Sequence, residues 1–261
     1  MKKIIKFFLR NIPRKYLQRF VYFTMKLVKV FYLGNKVECP VCGKHYRKFL
    51  PYGYVFSREN ALCPNCLSLE RHRLLWLYLK KETSIFTDNL NFLHIAPELC
   101  FMGYFRKQKN LKYTTADLES PWADIHLNVE DMPLETSSYD FVMANHILEH
   151  VQHLDKALNE IYRVLKPGGF AILLSPINPE RNTTYENERI TDPIEREIHF
   201  GQKDHLREFG LDYAKVLKRD GVEIIEDRFI ESLSKEEIFR YAIANPNDIT
   251  IENHIFIARK L

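Results

Sequence analysis

YDFVMANHILEHVQHLDKALNEIYRVLKPGGFAILLS, residues 139–175, is the stretch whose reading decides the fold. Phe141 to Ala144 is an apolar run bounded by polar residues and too short for a helix. Leu154, Leu158, Ile161 and Leu165 then share the spacing of one helix face. Pro167-Gly168-Gly169 predicts the end of that helix. Phe170 to Leu174 predicts a second strand. Neither run alternates polar with apolar residues, as expected of strands covered on both faces of a parallel sheet. A right-handed crossover places the two strands side by side or nearly so.

The flanking sequence extends this unit. NFLHIAPE predicts a strand over Phe92 to Ile95 and a turn at Ala96-Pro97-Glu98. A helix over Leu99 to Lys107 and a strand over Tyr113 to Ala116 follow. Asp117 ends that strand, twenty residues past Pro97. In dinucleotide-type folds an acid so placed accepts from both ribose hydroxyls. A short run, Asp124 to Leu127, leads into Asn128-Val129-Glu130-Asp131-Met132-Pro133. Beyond the central unit, residues 177–206 read as polar and irregular. Leu211 to Lys218 reads as a helix, Val222 to Ile225 as a strand, and Ile249 to Ala258 as a terminal strand with an interruption. The order predicts an open, doubly wound α/β sheet.

The 261 residues allow one large domain or one domain plus a small one, and 46% apolar content is ample for a core. The net charge of +4 is uneven: residues 1–36 hold ten Lys or Arg and no acid, leaving 28 basic against 34 acidic residues elsewhere. The body is therefore no polyanion binder by charge, and nucleic acid is disfavoured as a partner. Charges at Arg14, Lys15, Arg19, Lys26 and Lys29 interrupt every window of residues 1–34 long enough to span a bilayer. Two main readings stay open for this segment: a helix packed on the protein's own body, or a basic amphipathic helix on an anionic membrane surface. Nucleic-acid contact is a third.

Cys39, Cys42, Cys63 and Cys66 form two CxxC knuckles separated by twenty residues. Two knuckles supply four sulfurs, enough for a closed tetrahedral site, so the expected metal is structural Zn2+ with no open position for catalysis. Paired knuckles without a cleavable leader fit a reducing, cytoplasmic compartment, with the inner membrane face as a peripheral option. LSLERHRLLWLYLKK then predicts a helix, with Leu69, Leu74, Leu75, Trp76 and Leu79 as its apolar stripe. Glu70, Arg71, His72 and Arg73 form either an ordinary polar face or a cluster from which Arg71 or Arg73 reaches a ligand. The expected division is residues 1–36 as the basic segment, 37–82 as zinc module and connecting helix, and 83–261 as the α/β domain.

Asp117, NVEDMPLETSSYDFVMANHILEHV and LKPGGFAILL together resemble class I S-adenosylmethionine-dependent methyltransferases, of the type 11-like branch, from about Asn91 to Leu261. With the CxxC pairs and SLERHR ahead of it, the chain is similar to bacterial methyltransferases that bear a zinc knuckle. The resemblance implies a Rossmann-like, mostly parallel seven-stranded sheet with S-adenosyl-L-methionine as cofactor. It also implies that Asp117 holds the ribose, that Asn128 accepts from the adenine amino group, and that the Val129 N–H meets an adenine ring nitrogen. Asn145 and His146, just past the fourth strand, would line the crevice where cofactor and substrate meet. One departure stands out: the family's glycine-rich first turn reads His94-Ile95-Ala96-Pro97-Glu98, with no glycine until Gly103. Ala96 is small enough for close approach, and Glu98 is expected to take the cofactor's amino group.

Methyl transfer needs a base only for a hydroxyl or protonated amine acceptor. The candidates are His146, His199 and His205, with His150 read as structural on a helix after the fourth strand. His199 and His205, with Asp204 and Arg207, sit in a polar insertion placed to act as a lid. The expected acceptor is a small polar molecule or a glycan. An RNA methyltransferase and a non-catalytic module with a decayed cofactor site are the alternatives.

Overall fold

The computed structural model describes residues 28–53, 57–245, 247 and 249–261. Most of the basic segment 1–34, with the readings made on it, lies outside the described residues. Among the described residues no helix is long and apolar enough to cross a membrane.

The centre is a seven-stranded sheet: β1 (Leu90–Ile95), β2 (Leu111–Asp117), β3 (Ile125–His126), β4 (Tyr139–Ala144), β5 (Leu165–Ile172), β6 (Val222–Asp227) and β7 (Ile255–Lys260). The strands lie in the order β3-β2-β1-β4-β5-β7-β6. Only β7 runs antiparallel to its neighbours. The inner ends of β1 and β4, Phe92 to Ile95 and Phe141 to Ala144, are wholly buried, which is why they read as apolar runs broken only by His94. The helix Leu154–Val164 connects β4 to β5, and the two strands pair directly in parallel, as the crossover rule requires. This is a doubly wound, Rossmann-like fold. Its strand order reverses between β1 and β4, which puts the ligand crevice beyond the carboxyl ends of those strands.

Pro167-Gly168-Gly169 does not separate helix from strand as expected. β5 begins at Leu165 and carries the motif as a bulge, with a register shift between the Tyr139 and Phe141 pairs. A Cβ on Gly169 would lie 2.9 Å from the carbonyl oxygens of Asp140 and Lys166. Lys166 Nζ, 2.8 Å from Asp140 Oδ2, ties the bulge to β4. The carbonyls orphaned at the end of the preceding helix are taken by Lys260 Nζ, 2.9 Å from Tyr162 O and 2.7 Å from Leu165 O.

The region read as irregular holds a helix, Pro193–Phe200, capped by the Asp192 carboxylate and stopped by Gly201 at φ 83°. Tyr185–Glu186 pairs with Arg207–Glu208 in a two-residue ladder. A further helix, Lys235–Arg240, starts from a Ser234/Glu237 capping box. His150 lies in a turn before the crossover helix, not on a helix.

The cysteine segment forms two hairpins, Leu33–Cys39 with Lys44–Tyr46 and Leu50–Tyr52 with Arg58–Leu62, followed by the helix Glu70–Lys81. That helix is buried from His72 through Leu79. Trp76 stacks on Phe101 at 5.6 Å, so module and sheet share one core with Phe92, Phe141 and Ile257. Arg73 does not occupy a polar face. Its guanidinium is fully buried and donates to the carbonyls of Ala61, Ser68, Tyr241 and Ala242. It pins hairpin, helix and the C-terminal segment together. Arg73→Met takes the guanidinium from all four; Ser68 O keeps the Cys63 N–H, and each carbonyl left unpaired costs about 1–3 kcal/mol. Urea unfolding of that variant is expected to show a loss of at least ~4 kcal/mol, and a loss within experimental error would remove this role.

Candidate active site and four-cysteine cluster

The crevice edge is built from the loops after β1, β2 and β4. Ala96 adopts φ 47°, the left-handed conformation that favours glycine, and its N–H reaches Ala116 O at 2.8 Å. The turn thus keeps a glycine's backbone shape without the glycine. Asp117 follows at the end of β2. Its Oδ1 accepts from the Glu119 and Ser120 N–H groups at 2.9 and 2.7 Å, while Oδ2 has no partner among the described residues. Leu127 N–H bonds Asp117 O, which brings the next loop alongside. There Asn128 Oδ1 accepts from Glu130 N–H, and the Val129 N–H has no partner among the described residues.

His94 and Glu98 are committed within the protein. His94 is fully buried in β1, with Nδ1 2.8 Å from the Tyr113 hydroxyl and Nε2 in a short contact with Glu98 Oε2. Asn145 donates to Glu98 Oε1 and accepts from Leu174 N–H, each at 3.1 Å, bridging the two sides of the switch point. Burial pushes the Glu98 carboxyl up, but the charge and hydrogen bond of His94, with help from His72 and Asn145, hold it down at about 2. A carboxylate depressed in the folded state stabilises above its ordinary value of 4.5 and loses that contribution as pH falls toward 2. Such a depression is worth about 3 kcal/mol. The stability of Glu98→Gln is therefore expected to depend less on pH than the wild type between those values. Parallel curves would show that Glu98 is not the titrating group.

His146 sits beyond β4 at φ 54°, an unfavourable backbone for its side chain. Its Nδ1 is 3.5 Å from Glu149 Oε1, and its Nε2 is buried without a hydrogen-bond partner. Glu149 is 2% exposed, and its Oε2 accepts from the Ser175 hydroxyl, which the Tyr213 hydroxyl meets at 3.1 Å. Burial raises the Glu149 carboxyl, but the His146 hydrogen bond and charge lower it further than that. His146, Ser175 and Arg71 line a cavity of about 620 Å³, shared with the Arg58–Asn60 hairpin and the C-terminal segment around Ala242 and Glu252. Arg58 is spent on Glu70 in a two-pronged ion pair. Arg71 has no ion-pair partner among the described residues. Of the two arginines considered, Arg71 is thus the one that reaches the cavity.

His199 and His205 do not act from one place. His199 is exposed on the insertion helix with its ring 6.2 Å from that of Tyr185. His205 is buried, with its ring 4.8 Å from that of His150. Arg207, also buried, grips Glu186 and the carbonyls of Leu148 and Val151, so it anchors the insertion. Glu149 and Ser175 do not stand out in the sequence. Of the two, only Glu149 leaves a signal there, as an acid following the apolar pair Ile147-Leu148.

The four cysteines converge. Cys39 and Cys66 sulfurs are 3.5 Å apart, and Cys42 and Cys63 3.8 Å. Zn–S bonds of about 2.3 Å put tetrahedral sulfurs about 3.8 Å apart, so the set fits such an ion. Hydrogen bonds from Cys42, Cys63 and Cys66 make Cys39 the readiest thiolate. With that charge in place, Cys63 and Cys66 are pushed up, first by Cys39. A cation relieves this repulsion. The Ser68 hydroxyl lies 3.2 Å from Cys39 Sγ and 3.3 Å from Cys66 Sγ.

A family described as a methyltransferase domain matches residues 101–173, from the helix after β1 through β5. The match spans 73 of the 261 residues. The resemblance read from the sequence stands on that match. A ubiquinone/menaquinone biosynthesis C-methyltransferase of Brucella canis is 47% identical over 45 residues, 17% of this chain and 17% of that protein. A probable polyketide synthase of Dictyostelium discoideum is 33% identical over 82 residues, 31% of this chain and 2% of that protein. The chain thus spans under a fifth of the curated relatives it matches. Among solved structures, an S-adenosylmethionine-dependent methyltransferase of Mesorhizobium loti is similar at TM-score 0.48 and 14% identity, covering 72% of this chain and 98% of that one. A Burkholderia thailandensis 1,6-didemethyltoxoflavin-N1-methyltransferase, solved with that compound and S-adenosylhomocysteine, gives 0.46 and 15%, covering 73% and 78%. Neither bears on the acceptor.

Proposed function

We propose that the chain is an S-adenosyl-L-methionine-dependent methyltransferase for a small polar or glycan-type acceptor, with structural Zn2+ on Cys39, Cys42, Cys63 and Cys66. The observation that carries the reading is a pair of open hydrogen-bonding groups at one sheet edge, Asp117 Oδ2 and the Val129 N–H, in the matched domain. The cofactor supplies a methyl group already activated on a sulfonium centre. The chain's task is placement and exclusion of water. Asp117 holds the ribose hydroxyls, and Asn128 with the Val129 backbone holds the adenine edge. Ala96 lets the chain pass close. His94, Glu98 and Asn145 keep the loops on either side of the switch point at a fixed spacing.

The acceptor lies in the cavity walled by the cysteine module and the C-terminal segment. Its lining of Arg71, Asn60, Thr250, Glu252 and Asn253 suits a hydroxyl-rich or anionic molecule. For a hydroxyl acceptor His146 is the base, its Nδ1 turned to Glu149 and its Nε2 left to take the proton. His205 acts one layer behind, and His199 at the rim. The basic segment 1–34 is a candidate contact for an anionic membrane surface. Calorimetry with S-adenosylhomocysteine tests the reading: binding in the micromolar range supports it, and no heat at millimolar ligand overturns it. A thermal-shift screen of sugars and sugar acids on the product-loaded protein then bounds the acceptor.

A further inference from the structure

The geometry points to a second divalent-metal site, formed by Glu149, His150 and His205, against the His146 and Ser175 wall of the acceptor cavity. One ring nitrogen from each histidine and a carboxylate oxygen of Glu149 all lie within 4.8 Å of one another. The set shares no ligand with the four cysteines.

The hydrogen bonds around the three side chains prepare them as ligands. His205 Nδ1 is 3.0 Å from Phe200 O, and His150 Nδ1 is 3.1 Å from Asp204 O. A carbonyl only accepts, so each ring carries its proton on Nδ1 and keeps a bare lone pair on Nε2. Donation of the far N–H to a backbone carbonyl is the usual support of a metal-bound imidazole. His205 is 5% exposed, yet its Nε2 has no partner among the described residues. Glu149, also buried, is oriented by the Ser175 hydroxyl and by His146. His146 and Ser175 meet Glu149 from one side, while His150 and His205 turn bare ring nitrogens rather than N–H groups into the cluster, which is the donor set a cation takes.

The scaffold fixes these groups independently of any ion. Glu149 and His150 share the turn after β4, and Leu206 N–H bonds Glu149 O at 2.8 Å. The buried Arg207 clamps the same turn to the insertion. Two imidazoles and one carboxylate suit Zn2+, Mn2+, Fe2+ or Co2+ and leave coordination positions open. An ion there would lie behind the His146 and Ser175 wall, fixing Glu149 and through it the His146 ring that lines the cavity. That role rests on the methyltransferase reading; the binding of metal does not.

The test uses the full chain loaded with one equivalent of zinc and titrated with Mn2+ alone, followed by the paramagnetic signal of free Mn2+. Mn2+ prefers nitrogen and oxygen donors and does not displace zinc from thiolates. The expected result is one bound Mn2+ per chain, weakened at least ~10-fold in both His205→Gln and His150→Ala. S-adenosylhomocysteine affinity and circular dichroism are expected to be unchanged in these variants. No bound Mn2+ at millimolar metal, or binding that neither variant weakens, overturns the site. If Mn2+ fails to bind while S-adenosylhomocysteine binds, the metal site falls and the methyltransferase reading stands. If Mn2+ binds as expected while S-adenosylhomocysteine does not, the metal site stands and the methyltransferase reading falls.

Discussion

Cys63→Ser is expected to lose zinc and, with it, the cooperative folding of the whole chain. Structural zinc sites contribute on the order of 10 kcal/mol to the folding of the segments they close. Here the effect does not stay local, because the cysteine module has no core of its own. Val37, Cys39, Phe49 and Cys63 pack in one cluster with Trp76 of the connecting helix and Phe101, Phe105 and Phe141 of the main body. Arg73 fastens the hairpins to the C-terminal segment in the same layer. Even half of the zinc contribution lost, ~5 kcal/mol, lowers the melting temperature of a domain this size by more than ~10 °C. Differential scanning calorimetry with zinc quantification decides the matter. Cys100→Ala is the control: Cys100 is buried in the same core and belongs to neither knuckle, so zinc content should stay at one per chain. A Cys63→Ser protein that melts like the wild type would show that the sulfur cluster holds nothing the fold depends on.

Asp117→Asn is expected to weaken S-adenosylhomocysteine binding ~10- to 100-fold with little change in stability. The substitution separates two jobs of one side chain. Oδ1 caps the turn at Glu119 and Ser120, and an asparagine oxygen can still accept both of those bonds. Oδ2 is the group proposed to take a ribose hydroxyl, and an amide nitrogen in its place can no longer accept. A hydrogen bond to a charged partner is worth about 1.5–3 kcal/mol, which sets the range of the loss. Asp117→Ala should add a stability cost, because it also frees the turn. Equal affinities for wild type and Asp117→Asn would place the sugar elsewhere.

Much of the fold is legible from residues alone, and where legibility stops has physical causes. The apolar runs of β1 and β4 and the helix face through Leu154, Leu158 and Ile161 name their elements because burial on both faces leaves no other use for such sequence. Asp117 is legible because an acid at the end of a second strand, twenty residues past the first turn, is where dinucleotide-type folds meet a ribose. Local cap signals for the helices at Pro193 and Lys235 are also present, as Asp192-Pro193 and Ser234 with Glu237. They carry little weight in the sequence because both helices are short and lack a long apolar stripe.

The rest depends on distance in the chain. Arg73 looks like a polar-face residue until Tyr241 and Ala242 arrive to bury it, 168 and 169 residues later. The cavity joins residues 58–60, 71, 146, 175, 239, 242–245, 250 and 252–253, which no spacing rule connects. Glu98 shows what the sequence leaves out. Its position in the first turn suggests a cofactor ligand, but both of its oxygens are held by His94 and Asn145. Ala96 shows that a glycine-poor loop can retain the glycine's backbone angle at a cost of about 1–2 kcal/mol.

The most direct test is a structure of the chain crystallised with S-adenosylhomocysteine. The account predicts the nucleoside across the edge between β1 and β4, with its sugar hydroxyls on Asp117 Oδ2, its adenine against the Val129 N–H, and its sulfur toward His146 and the cavity. A crevice closed by the protein's own side chains, or a nucleoside bound away from Asp117, would contradict it.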